Sequence, residues 1–143
     1  MKILLPVDGS ENALDAVRYA LRLGADGLRA SFVLANVQEP ASLYEVVVAH
    51  NAEVIEQVSE AAAQHSLAPA QALLRAAGLA FETEVGHGDP GHQIVDIAER
   101  CGCDLIILGA RGMEPLEGAL GSAADSVLRH AGMPVMIVRR NEG

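Results

Sequence analysis

A glycine-rich stretch, GARGMEPLEGALGS, occupies residues 109–122 between an apolar run and a run with helical periodicity. It contains Gly109, Gly112, Gly118 and Gly121 and ends in Gly-Ser. Glycine costs chain entropy on folding but allows a backbone to approach another group closely. Backbone N–H groups at the start of a helix can hold an anion such as phosphate. The alternative is a connecting loop whose glycines serve only turns and helix ends.

The stretch matches neither of the common phosphate-binding patterns, because it lacks both the Gly-Lys-Ser/Thr of a P-loop and the G-x-G-x-x-G of dinucleotide sites. The chain also lacks a G-x-S-x-G nucleophile motif, and no catalytic base is identified. His87, Asp89 and His92 could ligate a metal, but no fourth ligand is close and Asp89 is expected to cap a helix. We therefore predict neither a catalytic residue nor a metal site. Cys101 and Cys103 are expected to be ordinary thiols.

Composition favours one α/β domain over residues 1–143. Half of the residues are apolar and only 3% are aromatic, so the core must be aliphatic. The formal net charge of -9 argues against a nucleic-acid partner and against an anionic membrane surface. No signal peptide and no run of transmembrane length is seen, so a cytoplasmic location is expected.

Hydrophobic periodicity predicts strands alternating with helices, which is typical of a parallel sheet covered on both faces. The predicted strands are 2–7, 31–37, 80–85, 104–108 and 135–139. The predicted helices are 11–23, 42–66 with a break at Pro69 and a continuation to 77, a third from Pro90, and a fourth after Ser122. The alternating residues of 80–85 indicate an edge strand with one wet face.

Several polar residues are expected to start helices. Ser10 and Ser122 are predicted N-caps, and Asp89 is predicted to cap the helix that Pro90 begins. Gly24 and Gly27 are expected to end the first helix, and Gly132 the last. In open parallel sheets, ligands sit at the carboxyl ends of the strands. The stretch 109–122 leaves such an end, so an anion site is predicted there.

The chain resembles the universal stress protein family over nearly its whole length. The resemblance rests on VDGS after the first strand, on Gly88-Asp89-Pro90, on DLIILGARG, and on the later GS, VLRHA and PVMIVR. ATP-binding members carry G-x2-G-x9-G-[ST], which Gly109, Gly112 and Gly121-Ser122 match. Eight residues instead of nine separate Gly112 from Gly121. This shorter spacer puts triphosphate binding in doubt more than the fold.

The resemblance implies an adenine-nucleotide site at these positions. Asp8 would lie beside the adenosine, and Val37 would pack on adenine and offer backbone hydrogen bonds. Arg111 would lie along the phosphates. From the residues alone, Asp8 could instead be a turn carboxylate, Val37 plain core and Arg111 a solvated charge. The full set of implied site residues is Pro6, Val7, Asp8, Val37, Leu108, Gly109, Arg111, Gly112, Gly121, Ser122 and Ala123.

The resemblance also implies the architecture, an open five-stranded parallel sheet of order 3-2-1-4-5 with helices on both faces. This is the Rossmann-like fold of the adenine-nucleotide alpha-hydrolase type. The implied function is an ATP-binding stress-response sensor or switch, with AMP or ADP as other ligands and at most slow ATPase activity. Because Glu114 and Glu117 would repel the phosphates, Mg²⁺ is expected with the nucleotide.

A homodimer through the strand 135–139 is implied as well, and an apolar edge strand otherwise invites aggregation. The alternative function is a nucleotide-free dimeric interaction module of the same fold, which the short spacer and the two loop glutamates favour. A third interpretation, a small hydrolase, lacks an identifiable base. The sequence does not indicate the stress, the partner protein or the preferred nucleotide.

Overall fold

The computed structural model describes residues 1–39, 52–111 and 120–139, with the backbone alone for 52–56. Within these ranges, strands and helices alternate along the chain. The strands are β1 (Lys2–Pro6), β2 (Ser31–Gln38), β3 (Phe81–His87), β4 (Leu105–Gly109) and β5 (Val135–Val138). The helices are α1 (Glu11–Ala25), α2 (Ala52–Ala76), α3 (Pro90–Arg100) and α4 (Ser122–His130).

The strands form one parallel sheet in the order β3-β2-β1-β4-β5, which confirms the predicted order. β1 is central: Ile3 is paired with Phe32 of β2 on one side and with Leu105 of β4 on the other. β3 lies at one edge, as its alternating pattern predicted, and β5 lies at the other.

Apolar side chains on both faces of the sheet form two separate clusters. Ile3 and Leu5 of β1 pack with α1 and α2, whereas Leu4 packs with α3 and α4. Successive strand residues point to opposite faces, so a strand covered on both sides is apolar throughout. All three of these side chains are fully buried. The sheet is therefore packed on both faces, and it fixes the positions of the residues at the carboxyl ends of its strands.

α1 begins as predicted and ends slightly later. The Ser10 hydroxyl accepts a hydrogen bond from the Ala13 N–H (3.2 Å), so Ser10 is the N-cap. Gly24 does not end the helix, which runs to Ala25. The turn that follows contains Gly27 at φ +116°, a conformation that side chains disfavour. α4 likewise ends at His130, before Gly132.

The predicted break at Pro69 is wrong, because α2 is one helix through that residue. Proline removes one intrahelical hydrogen bond and usually kinks a helix. Here Leu67, Ala70 and Leu74 are completely buried against the sheet. Packing on either side of Pro69 therefore outweighs the lost bond. The predicted residues 42–51 lie outside the described residues.

α3 and α4 are in close contact, and this contact positions the start of α4. Asp89 caps α3 as predicted, since its Oδ2 accepts from the His92 N–H (3.1 Å), and Pro90 is the first helical residue. The α-carbon of Gly91 faces Ser126 of α4, and a β-carbon built on Gly91 would lie 2.4 Å from the Ser126 Cβ. Only glycine at position 91 allows this approach.

Both cysteines are free, and burial raises the pKa of each thiol. Cys103 is packed in the α3–α4 core cluster at 7% exposure, and its pKa rises from 9.0 to about 11. For Cys101, the Glu84 carboxylate adds to the effect of burial. A raised thiol pKa means that the folded protein holds its proton more tightly than the unfolded chain does.

We expect the free energy of unfolding to fall between pH 9 and 11 in part because of Cys103. The proton is retained by the folded state only, so this stabilisation is complete below pH 9 and is lost as pH rises through about 11. The maximum loss is about 2 to 3 kcal/mol. Urea unfolding of wild type and Cys103→Ala at several pH values measures it. If the free energies of unfolding of the two proteins had the same pH dependence between pH 9 and 11, the expectation would be contradicted.

Candidate functional site

A cleft of about 470 Å³ opens at the carboxyl ends of β1, β2 and β4. The chain runs from β1 outward to β2 and β3 in one direction, and β4 and β5 lie in the other. Ligands in open parallel sheets bind where the strand order reverses in this way. The lining residues are Pro6, Val7, Asp8, Ala13, Ala35, Val37, Glu39, Pro90, Ile94, Leu108, Gly109, Arg111, Ser122, Ala123 and Ala124.

The structure brings together nine of the eleven site residues that the resemblance implied. They are Pro6, Val7, Asp8, Val37, Leu108, Gly109, Arg111, Ser122 and Ala123. Gly121 is buried beside them at the start of α4 and does not line the cleft. Gly112 lies outside the described residues, as do Glu114, Glu117 and the rest of the shortened spacer.

The floor and walls of the cleft are apolar. Ala35 and Leu108 lie in β2 and β4, Val7 directly follows the intervening β1, and all three are buried. Ile94 of α3 and Ala124 of α4 close one side and are buried as well. Such a surface suits a flat apolar group such as a base, with polar contacts left to the rim.

Val37 lines the cleft, and the direction of its backbone polar groups follows from the strand pairing. In a parallel strand, successive residues direct their N–H and C=O groups to alternate neighbours. The Ala35 C=O accepts from the Val7 N–H (2.8 Å) on the β1 side, and the Gln38 C=O accepts from the Gly88 N–H (3.0 Å) on the β3 side. Val37 therefore directs its N–H and C=O toward β1, beyond the last β1 residue, Pro6.

A buried amide fixes the ends of β1 and β2 relative to each other. The Asn36 side chain, 2% exposed, donates from Nδ2 to the Val7 C=O (2.9 Å). Gln38 in turn donates from Nε2 to the Asn36 Oδ1. A buried polar group with satisfied hydrogen bonds restrains its neighbours. Asn36 thus positions Val7 and Val37, which line the cleft on either side of it.

Asp8 is a turn carboxylate that also lines the cleft. Its Oδ1 accepts from the Ser10 N–H (2.9 Å), which makes it a turn carboxylate. The side chain is nevertheless exposed and lines the cleft. The turn therefore holds a carboxylate at the cleft rim in a fixed position.

The start of α4 forms the opposite end of the cleft, and Ser122 is not its N-cap. Gly121 is the N-cap, with φ −65° and ψ 161°, and Ser122 is the first helical residue. No side chain caps the helix. The first N–H groups of a helix have no intrahelical partner, and the helix dipole places positive charge there. The first turn, which includes Ala123, can therefore hold an anion.

Two of the glycines make close contacts within the protein. The Gly121 N–H donates to the Ala110 C=O (2.8 Å), so it is directed at the chain that leaves β4. At Gly109, a β-carbon would lie 2.7 Å from the Asn12 carbonyl oxygen of α1. The absent side chain at position 109 is therefore required by the close approach of α1.

Six cleft residues were not predicted from the sequence: Ala13, Ala35, Glu39, Pro90, Ile94 and Ala124. The sequence placed each of them in a helix, in a strand or at a chain break, and no residue type among them indicated a ligand. Only their positions relative to the ends of strands and helices could have identified them. Residues at the starts of helices, such as Pro90, and just past strand ends, such as Glu39, lie at the same edge of a parallel sheet.

The structure does not assemble the histidines and Asp89 into a metal site. The His87 Nε2 lies 3.1 Å from the Ser59 Oγ, and the His92 Nε2 lies 3.9 Å from the Asp89 Oδ2. In the portion of the chain that is described, no cluster of three or more His, Cys, Asp or Glu residues could hold an ion. None of the helices described there is long and apolar enough to cross a membrane.

The parallel sheet with a cleft at its topological switch point defines the nucleotide-binding α/β class of proteins. The sequence model described as "Universal stress protein family" matches residues 1–139. The chain therefore belongs to the universal stress protein family.

Individual relatives agree over most of the chain. Universal stress protein MJ0531 of Methanocaldococcus jannaschii is 29% identical over 140 residues, which cover 97% of this chain and 82% of that protein. The solved structure of hypothetical protein MJ0577 of the same organism is similar with a TM-score of 0.82 at 28% identity, covering 99% of this chain and 97% of that one. A universal stress protein solved in complex with cAMP gives a TM-score of 0.67 at 25% identity, covering 97% and 96%.

Proposed function

We propose that this protein binds an adenine nucleotide, ATP with Mg²⁺ in particular, and acts in the cytoplasm as a stress-response sensor or switch. The observation that carries the proposal is the cleft itself. It combines an apolar slot, a pair of directed backbone groups at Val37 and the uncapped start of α4. We assign no catalytic residue.

The Val37 backbone supports adenine as the base. Its N–H can donate to N1 of adenine and its C=O can accept from the 6-amino group. A 6-keto purine presents the reverse pattern at these two atoms, so it would leave both backbone groups without a partner. Unpaired polar groups in a desolvated slot cost about 1 to 3 kcal/mol each.

The opposite end supports a phosphate tail. The first turn of α4, Arg111 and the Ser122 hydroxyl line the cleft there. Asp8 and Glu39 line the cleft on the β1 and β2 side, so the described cleft residues as a whole carry two carboxylates and one guanidinium and are net negative. Mg²⁺ carried by the phosphates would reduce the repulsion. A relative that is 25% identical was solved in complex with cAMP, which supports an adenine nucleotide as the ligand.

We also propose a homodimer through β5. Its four residues are only partly buried in the monomer, and the strand lies at the edge of the sheet. An edge strand leaves one row of backbone groups unpaired, which a second copy can satisfy. The negative net charge supports the absence of a nucleic-acid partner.

Isothermal titration calorimetry with ATP, with and without Mg²⁺, tests the proposed nucleotide binding. We expect binding in the micromolar range or tighter with Mg²⁺ and weaker binding without it. The absence of heat from folded protein in both conditions would contradict the proposal.

The second candidate is a nucleotide-free interaction module, which the commitment of the Gly121 N–H to Ala110 favours. Denaturing purified protein and analysing the supernatant for adenine nucleotide distinguishes the two. Released nucleotide supports the first, whereas a dimer without nucleotide that also fails to titrate supports the second.

A further inference from the structure

Glu39 lines the cleft, and the proposed function assigns it no contact with the ligand. It follows Gln38, the last residue of β2, and its exposed side chain lines the cleft together with Val37. Across residues 1–39, 52–111 and 120–139, its carboxylate makes no hydrogen bond or ion pair with another described residue. An ionised carboxylate can only accept hydrogen bonds. A ligand group that meets Glu39 favourably must therefore be a hydrogen-bond donor or a cation.

The charges of the cleft determine which end of a nucleotide reaches Glu39. Glu39 and Asp8 follow β2 and β1, whereas Arg111 and the start of α4 follow β4. Phosphate is repelled from the first pair and attracted to the second. The base is therefore directed to the β2 end, where Val37 and Glu39 lie two residues apart.

Adenine offers one more donor at that end than Val37 can use. The 6-amino group carries two hydrogens, and the Val37 C=O accepts one of them in the arrangement described above. The second hydrogen is directed away from N1, toward the N7 side of the base. A carboxylate at the rim beside Val37 is a suitable acceptor, and a hydrogen bond to a charged acceptor is about twice as strong as a neutral one.

We propose that Glu39 is a specificity-determining residue that accepts the second hydrogen of the adenine 6-amino group. This inference rests on the proposed function. It adds a side-chain contact to the backbone contacts at Val37, and it makes the cleft selective for an unsubstituted 6-amino purine. N6-alkylated adenines and purines without the amino group would bind more weakly.

Calorimetric titration of wild type, Glu39→Ala and Glu39→Gln with three nucleotides tests the assignment. The nucleotides are ATP, purine riboside 5′-triphosphate, which lacks the amino group, and 2′-deoxy-ATP, all with Mg²⁺. We expect Glu39→Ala to weaken the binding of ATP about tenfold or more. The affinity for purine riboside 5′-triphosphate, which lacks the amino group, should not change. Glu39→Gln, which keeps an acceptor oxygen without the charge, should fall between. Glu60→Ala, an exposed glutamate of α2 outside the cleft, is the matched control.

Two results would overturn the assignment while leaving the proposed function intact. Equal weakening of ATP and of purine riboside 5′-triphosphate by Glu39→Ala would show a general effect on the cleft. If Glu39→Ala changed only the ratio of the affinities for ATP and 2′-deoxy-ATP, Glu39 would instead contact the ribose. Failure of wild type to bind ATP at all would instead contradict the proposed function, and this assignment with it.

Discussion

Replacing Ser122 with aspartate is expected to abolish nucleotide binding without unfolding the protein. Ser122 is the first residue of α4, is exposed and lines the cleft. A carboxylate there would lie where the phosphates are proposed to bind. Two like charges about 4 Å apart near a protein surface repel by about 4 kcal/mol. A 100-fold loss of affinity corresponds to only about 2.7 kcal/mol, so we expect the affinity to fall by more than that factor. The same carboxylate interacts favourably with the helix dipole and stabilises α4 by about 0.3 to 1 kcal/mol.

Calorimetry with Mg-ATP and thermal unfolding, measured on the same preparations, test this prediction. Ser122→Asn is the matched control, because it has nearly the same shape as aspartate without the charge. The asparagine variant should bind nucleotide far more tightly than the aspartate variant. Undiminished binding by Ser122→Asp, with its Tm unchanged or raised, would show that the phosphates do not approach the start of α4.

Gly109→Ala is expected to cause the largest loss of stability among the substitutions considered. The new β-carbon would lie 2.7 Å from the Asn12 carbonyl oxygen and 2.8 Å from its carbon. Because these are backbone atoms of α1, they cannot move aside as a flexible side chain does. Overpacking of this kind costs about 3 kcal/mol. Denaturant unfolding monitored by circular dichroism measures the loss.

Gly24→Ala is the control for the same change of residue type. No heavy atom lies within 4 Å of a β-carbon built there, and Gly24 lies within α1. Alanine favours the helix over glycine, so the variant should gain up to about 1 kcal/mol. A Gly109→Ala protein as stable as wild type would mean that α1 can shift away from β4.

Most of the fold followed from periodicity and capping residues. The buried strands are continuously apolar, and Ser10 and Asp89 cap α1 and α3 as predicted, so local pattern and tertiary packing agree. Pro69 was predicted to break a helix, but the burial of its neighbours against the sheet overrides that local preference. The end of α1 near Gly24 and the N-cap of α4 also differed from the prediction by one or two residues. Strand order came from family resemblance, because periodicity contains no information on which strands are adjacent.

The site was predictable in outline but not in its details. Strand ends and the last glycine-rich stretch indicated where a ligand would lie. The close approach of α1 to Gly109, and the hydrogen bond of the Gly121 N–H to Ala110, depend on distances between elements remote in sequence. The same is true of Glu39, whose place in the cleft is set by where β2 ends.

Ala110 connects the start of α4, beside the cleft, to the edge strand β5 through main-chain hydrogen bonds alone. Its C=O accepts from Gly121 at the start of α4, and its N–H donates to the C=O of Val138, the last residue of β5 (3.0 Å). A shift of the helix start on ligand binding would therefore act on the strand proposed to meet a second copy. Since neither bond involves a side chain, scanning mutagenesis would miss this connection, whereas amide hydrogen exchange at Ala110 would report it directly.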